Sequence, residues 1–215
     1  WNVNFANATN GQPANRPAPT PPGYVQDVGL VFTDRGNGYS YGWDRDVSAD
    51  GRWRESSLSP DLRYDTLVHM QKALPPVTWE IAIPNGFYQV HVVSGDPGNF
   101  DQNHEFNIEG VITPLIIQDG ARHWAEFTKT VIVNDGRLTV TVGPSGAGQT
   151  TTFNAKFCFI DIYPAIPVPV GFSLQPQGQT NWQNRPVNLT AAINAGSEPF
   201  FYQWYVDGNE ILGAG

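Results

Sequence analysis

The residues of this chain best suited to chemistry lie in one glycine-rich segment, residues 36–46, and in a tryptophan shortly after it. Flat aromatic faces cover the apolar side of a sugar ring, and carboxylate or guanidinium groups bond its vicinal hydroxyls. The segment supplies both kinds of group. We therefore predict a carbohydrate site formed by Tyr39, Tyr41, Trp43, Arg45, Asp46 and Trp53. In the alternative interpretation, Tyr41 and Trp43 pack beneath a long loop that would otherwise lack a core.

A second polar segment, residues 95–105, carries several oxygen-bearing side chains on a turn. Calcium prefers such oxygens, so Asp96, Asn99 and Asp101 are candidate ligands of a structural calcium ion. The segment lacks the spacing of an EF-hand, and an Asp- and Asn-rich turn is equally explained by bonds from side chains to the backbone. We expect no other cofactor.

The sequence does not support catalysis. The four histidines, His69, His91, His104 and His123, are dispersed, and no G-x-S-x-G or H-E-x-x-H motif occurs. Residues 143–150 resemble a phosphate-binding loop, but Gln149 stands where the essential lysine would be, and the loop joins two strand-like segments. We predict that the protein is not an enzyme.

Composition indicates which elements position these residues. The chain has 22 Gly and 18 Pro, 13% aromatic and 15% charged residues, which is typical of many short strands separated by turns. Apolar residues alternate or form short runs, without a long stripe at helical spacing. We predict an all-β protein: a jelly-roll type antiparallel β-sandwich followed by a partial immunoglobulin-like sandwich.

Charge and hydropathy exclude two classes of partner. The net charge of −8 provides no basic surface for phosphates, so we expect no nucleic acid. No apolar run approaches the roughly 18 residues of a membrane span, so we expect no membrane insertion. The single cysteine, Cys158, excludes an internal disulfide, and its place in an apolar strand predicts a buried thiol.

Strand-like patterns divide the chain into two domains. Those of the first cover residues 25–32, 65–71, 77–83, 87–94, 105–112, 125–133, 137–142 and 157–163. The tripeptides Pro84-Asn85-Gly86 and Asn134-Asp135-Gly136 predict hairpins, because their residues tolerate positive φ between apolar runs. A proline-rich linker at 165–170 then separates a domain at 1–164 from one at 171–215.

The segment at 171–215 has a different pattern, carried by residues 172–176, 186–191 and 202–208. It resembles the A, B and C strands of bacterial immunoglobulin-like domains, with Trp204 as the core tryptophan. About half of such a domain is present. We expect either that the chain is a fragment of a longer protein or that a second copy completes the fold as a homo-oligomer.

Residues 1–164 carry a further resemblance, in the segments 3–5 (VNF), 24–27 (YVQD), 79–90 (WEIAIPNGFYQV), 106–110 (FNIEG), 135–140 (DGRLTV) and 158–162 (CFIDI). These resemble the malectin and malectin-like group of galactose-binding-like jelly rolls. Residues 34–64 look like the versions found in bacterial surface and polysaccharide-degrading proteins. The resemblance implies an accessory, glycan-binding role rather than catalysis.

Together these features predict a carbohydrate-binding or adhesion module of a larger secreted or cell-surface protein, with a polysaccharide or a glycoprotein glycan as partner. Trp1 in place of Met predicts that an N-terminal segment has been removed, and the sequons at Asn7 and Asn188 are compatible with secretion. The alternative is a structural subunit of a fibre, sheath or surface layer that self-assembles through its β domains.

Overall fold

The computed structural model describes residues 1–6, 17–72, 75–117, 120–143, 154–183, 185–196 and 200–212. The chain forms two compact units, Trp1–Ala165 and Ile166–Gly215, which divide within the proline-rich segment. The all-β prediction is confirmed. None of the helices in the described ranges has the length and apolar character that a membrane crossing requires.

The first unit is built from short strands, a single-turn helix α1 (Leu62–Asp65) and a 3-10 turn (Ser48–Asp50). The strands in its described ranges are β1 Asn2–Phe5, β2 Val25–Asp27, β3 Thr33–Asp34, β4 Ser40–Trp43, β5 Gly51–Trp53, β6 Thr66–His69, β7 Trp79–Ala82, β8 Gly86–Gly95, β9 Asn103–His104, β10 Phe106–Ile108, β11 Val111–Ile112, β12 Ile116–Ile117, β13 Trp124–Val133, β14 Arg137–Val142 and β15 Lys156–Pro164.

Two sheets form the sandwich. The larger sheet has the order β13-β8-β15-β1-β2, with β6 beside β15 and β5 beside β6. The smaller sheet has the order β11-β10-β14-β7-β4-β3. Within these sheets the strand pairs are antiparallel, apart from the parallel pair β1 and β2.

The core lies between the two sheets, because alternate residues of each strand point inward. The larger sheet contributes Val90, Val92, Ile160 and Ile162, and the smaller sheet contributes Ile81, Leu138 and Val140. On the inner face of the larger sheet, the ring of Phe5 stacks on that of Phe157, with centroids 3.9 Å apart. Apolar burial of this kind is the main stabilising contribution to such a sandwich.

Both predicted hairpins are wrong. Strand β7 belongs to the smaller sheet and β8 to the larger one, so Pro84-Asn85-Gly86 connects the sheets. The turn at 134–136 likewise leads from β13 in the larger sheet to β14 in the smaller one. The two turns are joined by Asn85, whose Nδ2 donates to the carbonyl of Asn134 at 2.8 Å and whose Oδ1 accepts from Gly136 N at 2.7 Å. Positive φ reverses a chain but does not specify in which sheet the next strand pairs.

The single strand predicted at 105–112 is in fact a hairpin. Glu109 and Gly110 have φ of 53° and 83°, and they reverse the chain between β10 and β11. Two central residues with positive φ match the twist of a tight hairpin. The strand predicted at 25–32 ends at Asp27, and Gly29 follows with φ 86°.

The second unit contains two small antiparallel pairs in its described ranges. Strand β16 (Gly171–Leu174) pairs with β17 (Ala192–Ala195), and β18 (Tyr205–Val206) pairs with β19 (Asn209–Glu210). The strand predicted at 186–191 is therefore displaced toward the C-terminus. Trp204 is only partly buried, and the immunoglobulin-like identity stays a prediction.

Candidate functional site

Trp43, a central residue of the predicted carbohydrate site, lies in the core. Its side chain is 0% exposed and contacts the ring of Phe5 edge to face at 5.6 Å. The indole Nε1 donates to Asp27 Oδ1 at 2.9 Å. Trp79 Nε1 donates to the other oxygen of the same buried carboxylate, also at 2.9 Å. A ring enclosed in this way has no face for a sugar.

Tyr41 and Trp53 are buried as well. Tyr41 is 4% exposed, and its hydroxyl donates to the carbonyl of Gln26 at 3.0 Å. Trp53 is 6% exposed, lies in a separate small cluster, and donates from Nε1 to Asp65 Oδ2 at 2.9 Å. The positions of Tyr41 and Trp43 therefore agree with the alternative interpretation, in which both pack in the interior, better than with an exposed carbohydrate site.

The two charged members of the predicted set serve local structure. Arg45 donates to the carbonyl of Pro75 and lies 3.8 Å from Asp44. Asp46 accepts from the hydroxyl and the backbone nitrogen of Ser48, at 2.6 and 2.9 Å, and these bonds lower the pKa of Asp46. The six predicted residues are thus not brought together on one surface.

Among the aromatic members of the predicted set, Tyr39 alone is not buried, and it borders a cleft of about 230 Å³ between the edge of the larger sheet and the smaller sheet. We call this the aromatic cleft. Its lining residues are Trp1, Asn2, Val3, Gly23, Tyr24, Val25, Tyr39 and Ile81. Trp1 and Tyr39, both half-buried against the main core, therefore border a space about the size of one sugar ring, whereas the ring of Tyr24 packs against Phe159.

Two local turns place the tyrosines at this cleft. Gly36 and Gly38 adopt φ of 71° and 87°, so that Arg35 N can donate to the Tyr39 carbonyl at 2.9 Å. The second turn is a Pro22-Gly23 turn, closed by a bond of 3.2 Å from Tyr24 N to the carbonyl of Pro21. Proline followed by glycine with positive φ is the signature of a type II turn.

Asn2 is a polar residue in the lining of the aromatic cleft. Its Oδ1 is buried and accepts no hydrogen bond from the described part of the chain, so a ligand in the cleft does not reach this atom. Its Nδ2 is exposed and makes a long bond of 3.4 Å to the carbonyl of Gly23. This weakly bonded amide nitrogen is therefore the atom of Asn2 that can donate to a ligand oxygen.

A polar network fixes the ring of Tyr24. Its hydroxyl donates to Asp161 Oδ1 at 2.6 Å and accepts from Arg63 Nη1 at 3.1 Å. Asp161 Oδ2 lies 3.2 Å from His91 Nδ1, and His91 Nε2 lies 3.2 Å from Glu126. Burial, followed by the bond to Asp161, raises the pKa of Tyr24 to about 12. Tyr24 is therefore neutral and held in one orientation.

The predicted calcium ligands contact cationic side chains instead. Asp96 pairs with Arg54, and Lys156 Nζ lies 3.5 Å from Asp96 and 2.5 Å from Asp101. Asn99 Nδ2 donates to Asp96 Oδ2 at 3.2 Å. Burial raises the pKa of Asp96, but the hydrogen bonds from Arg54 and Gly98 and the charges of Arg54 and Lys156 together outweigh it, so that the pKa lies below its usual value.

In the described ranges, no group of three or more His, Cys, Asp or Glu side chains could hold a metal ion. Calcium at Asp96, Asn99 and Asp101 stays a prediction, and the ion would compete with the ammonium group of Lys156. The phosphate-loop comparison at 143–150 falls almost wholly outside the described residues.

Comparisons with known proteins identify no family for the chain. No protein-family model and no curated protein matches it. Among solved structures, the protein YXIM from Bacillus subtilis is 19% identical, with a TM-score of 0.48; the match covers 77% of this chain and 40% of that chain. The CBM35 module of Cellvibrio japonicus Abf62 is 14% identical, with a TM-score of 0.34; the match covers 65% of this chain and 87% of that one.

A family 35 carbohydrate binding module from Clostridium thermocellum is 16% identical over 41% of this chain and 71% of that one, with a TM-score of 0.27. Likeness at this level assigns no site to the chain. The geometry of the aromatic cleft is the basis of the proposals below.

Sequence reasoning missed Trp1, Asn2 and Tyr24 as site residues. Tyr24 had a local signal, because it directly follows a Pro-Pro-Gly turn at 21–23. Trp1 and Asn2 had none, since their place at the cleft depends on the pairing of β1 with β15 and β2.

Proposed function

We propose that this chain is a non-catalytic carbohydrate-binding module of a secreted or cell-surface protein, and that the aromatic cleft is its sugar site. Trp1 and Tyr39 offer aromatic surface to the C–H side of a sugar ring. Trp1 directly precedes β1 and Tyr39 directly precedes β4, so little conformational entropy is lost on binding.

The observation that carries this proposal is the exposed, weakly bonded Nδ2 of Asn2 in a cleft lined by Trp1 and Tyr39. Sugars present hydroxyl oxygens next to apolar C–H groups, and the cleft provides an amide donor next to apolar rings. A purely apolar ligand would offer this donor no oxygen, so a polyhydroxyl ligand fits better.

The proposal requires no catalytic group. Ser94 Oγ lies 2.8 Å from His104 Nδ1, a distance that would suit a nucleophile and its base. Both side chains are completely buried, and burial lowers the pKa of His104 to about 4. Because no substrate can reach this pair, it supports the fold rather than a reaction.

A glycan array followed by isothermal titration calorimetry with the best-binding glycan tests the proposal. Tyr39→Ala removes one ring from the cleft, and we expect binding to weaken about tenfold, which corresponds to a stacking contribution near 1.4 kcal/mol. Asn2→Ala removes the amide donor, and we expect a loss of about fivefold.

Tyr163→Ala is the matched control, because Tyr163 is also an accessible tyrosine but lies outside the cleft. Its affinity should equal that of the wild type, and thermal unfolding should show that all three variants are folded. Equal binding by the wild type and Tyr39→Ala would refute the cleft as the sugar site.

Self-assembly through the second unit is a second candidate function. Trp182 and Phe201 are 85% and 86% exposed, and a further recess is lined by Phe172 and Trp204. Exposed apolar surface of this kind favours association. If this unit drives assembly, sedimentation equilibrium will show a concentration-dependent mass that Phe201→Ser lowers.

A further inference from the structure

A second depression lies next to Tyr24, which also lines the aromatic cleft. This second depression measures about 260 Å³ and is lined by Pro21, Pro22, Tyr24, Asp61, Leu62 and Arg63. The Pro22-Gly23 turn contributes Gly23 to the aromatic cleft and Pro22 to the second depression. The two spaces therefore share Tyr24 as a common boundary.

The walls of the second depression suit a sugar ring. Pro22 and Leu62 provide apolar surface, and Asp61 and Arg63 provide polar atoms at the same place. The ring of Tyr24 is fixed by its bonds to Asp161 and Arg63. The two spaces are therefore separated by a rigid side chain, and their spacing does not depend on a mobile group.

The charge of Arg63 is already compensated. Its Nη2 and Nε donate to the two oxygens of Asp61 at 2.7 and 3.0 Å, and its Nη1 donates to the hydroxyl of Tyr24. The guanidinium also lies 4.8 Å from the ring centroid of Phe159. A carboxylate on the ligand would have to displace Asp61 to form a bidentate pair with Arg63.

The lining of the aromatic cleft contains no Lys or Arg, and the amino group of Trp1 already donates to the carbonyl of Ile162 at 2.8 Å. The net charge of the protein is −8, so its general field repels anions. Both spaces therefore favour an uncharged ligand over a uronic acid.

Resting on the proposed function, we infer that the aromatic cleft and the second depression are adjacent subsites, separated by Tyr24, for a neutral oligosaccharide of two or more sugar residues. The first subsite takes one ring, to which Nδ2 of Asn2 donates. The second takes the next ring against Pro22 and Leu62, and so selects for chain length.

Isothermal titration calorimetry on the complete chain tests this inference. The probes are the methyl glycosides of glucose, galactose, mannose and xylose, the 1,4-linked disaccharide of each, and methyl glucuronide. For the sugar that binds, we expect its disaccharide to bind about tenfold more tightly than its methyl glycoside, because one more ring is covered. Methyl glucuronide should bind more weakly than methyl glucoside.

Leu62→Ala should reduce this advantage of the disaccharide to about twofold and leave the affinity for the methyl glycoside unchanged. Tyr39→Ala should weaken both ligands together. Leu58→Ala is the matched control, since Leu58 is an exposed leucine of the same loop outside both depressions, and it should change neither affinity. Thermal unfolding confirms that each variant is folded.

If the wild type binds the disaccharide and the methyl glycoside with equal affinity, the inference of two subsites is overturned. The proposed sugar site is not contradicted by that result. A Leu62→Ala variant that loses affinity for both ligands equally, or a preference for methyl glucuronide, would also overturn the inference. Absence of binding to every probe would instead overturn the proposed sugar site, and this inference with it.

Discussion

Replacement of Trp43 by phenylalanine separates a core role of this residue from a sugar-binding role. Trp43→Phe keeps an aromatic ring near Phe5 but removes the Nε1 donor to the completely buried Asp27. Asp27 then retains the bonds from Trp79 Nε1 at 2.9 Å and Gly29 N at 2.7 Å. A buried hydrogen bond to a charged group contributes about 1.5 to 3 kcal/mol, so we expect this loss in the free energy of unfolding.

For a unit of 165 residues, this loss corresponds to a Tm lower by about 3 to 12 °C. Differential scanning calorimetry measures the shift, and Trp182→Phe is the matched control because Trp182 is 85% exposed in the second unit. Glycan binding by folded Trp43→Phe should equal that of the wild type. An unchanged Tm together with lost glycan binding would refute the core assignment and return Trp43 to the sugar site.

Three further predictions concern buried or paired groups. The hydrogen bond to Asp161 raises the pKa of His91 above 6.5, so the protonated imidazole stabilises the fold below that pH and the contribution is lost as the pH rises through the raised pKa. The Tm of the wild type minus that of His91→Gln should therefore decrease from pH 5 to pH 8. Lys156→Met should cost about 3 kcal/mol in urea unfolding, because Lys156 is 1% exposed and pairs with Asp96. The thiol of Cys158 has a pKa raised by burial, so a thiol reagent should label it only after denaturation, and labelling of the native protein would contradict its position.

Much of the fold was predictable from local sequence. Alternating apolar residues identified most of the long strands, since a strand with one buried face has a period of two. Which strands pair with one another was harder to predict from the sequence. The turns at 84–86 and 134–136 both reverse the chain, yet each carries it to the opposite sheet, where the next strand finds its partners. Which sheet receives a strand depends on contacts between residues far apart in the chain.

The candidate site was likewise predictable from the sequence only in part. The sequence by itself determined an all-β chain, the glycine turn that presents Tyr39, and an aromatic content suited to sugars. Only the tertiary structure decided which aromatic rings remain accessible. Trp43 is buried because Asp27, which is distant in sequence, binds its indole within the core. Trp1 and Tyr39 border the same cleft because the β1 and β2 edge lies against the smaller sheet, an arrangement that sequence periodicity does not encode.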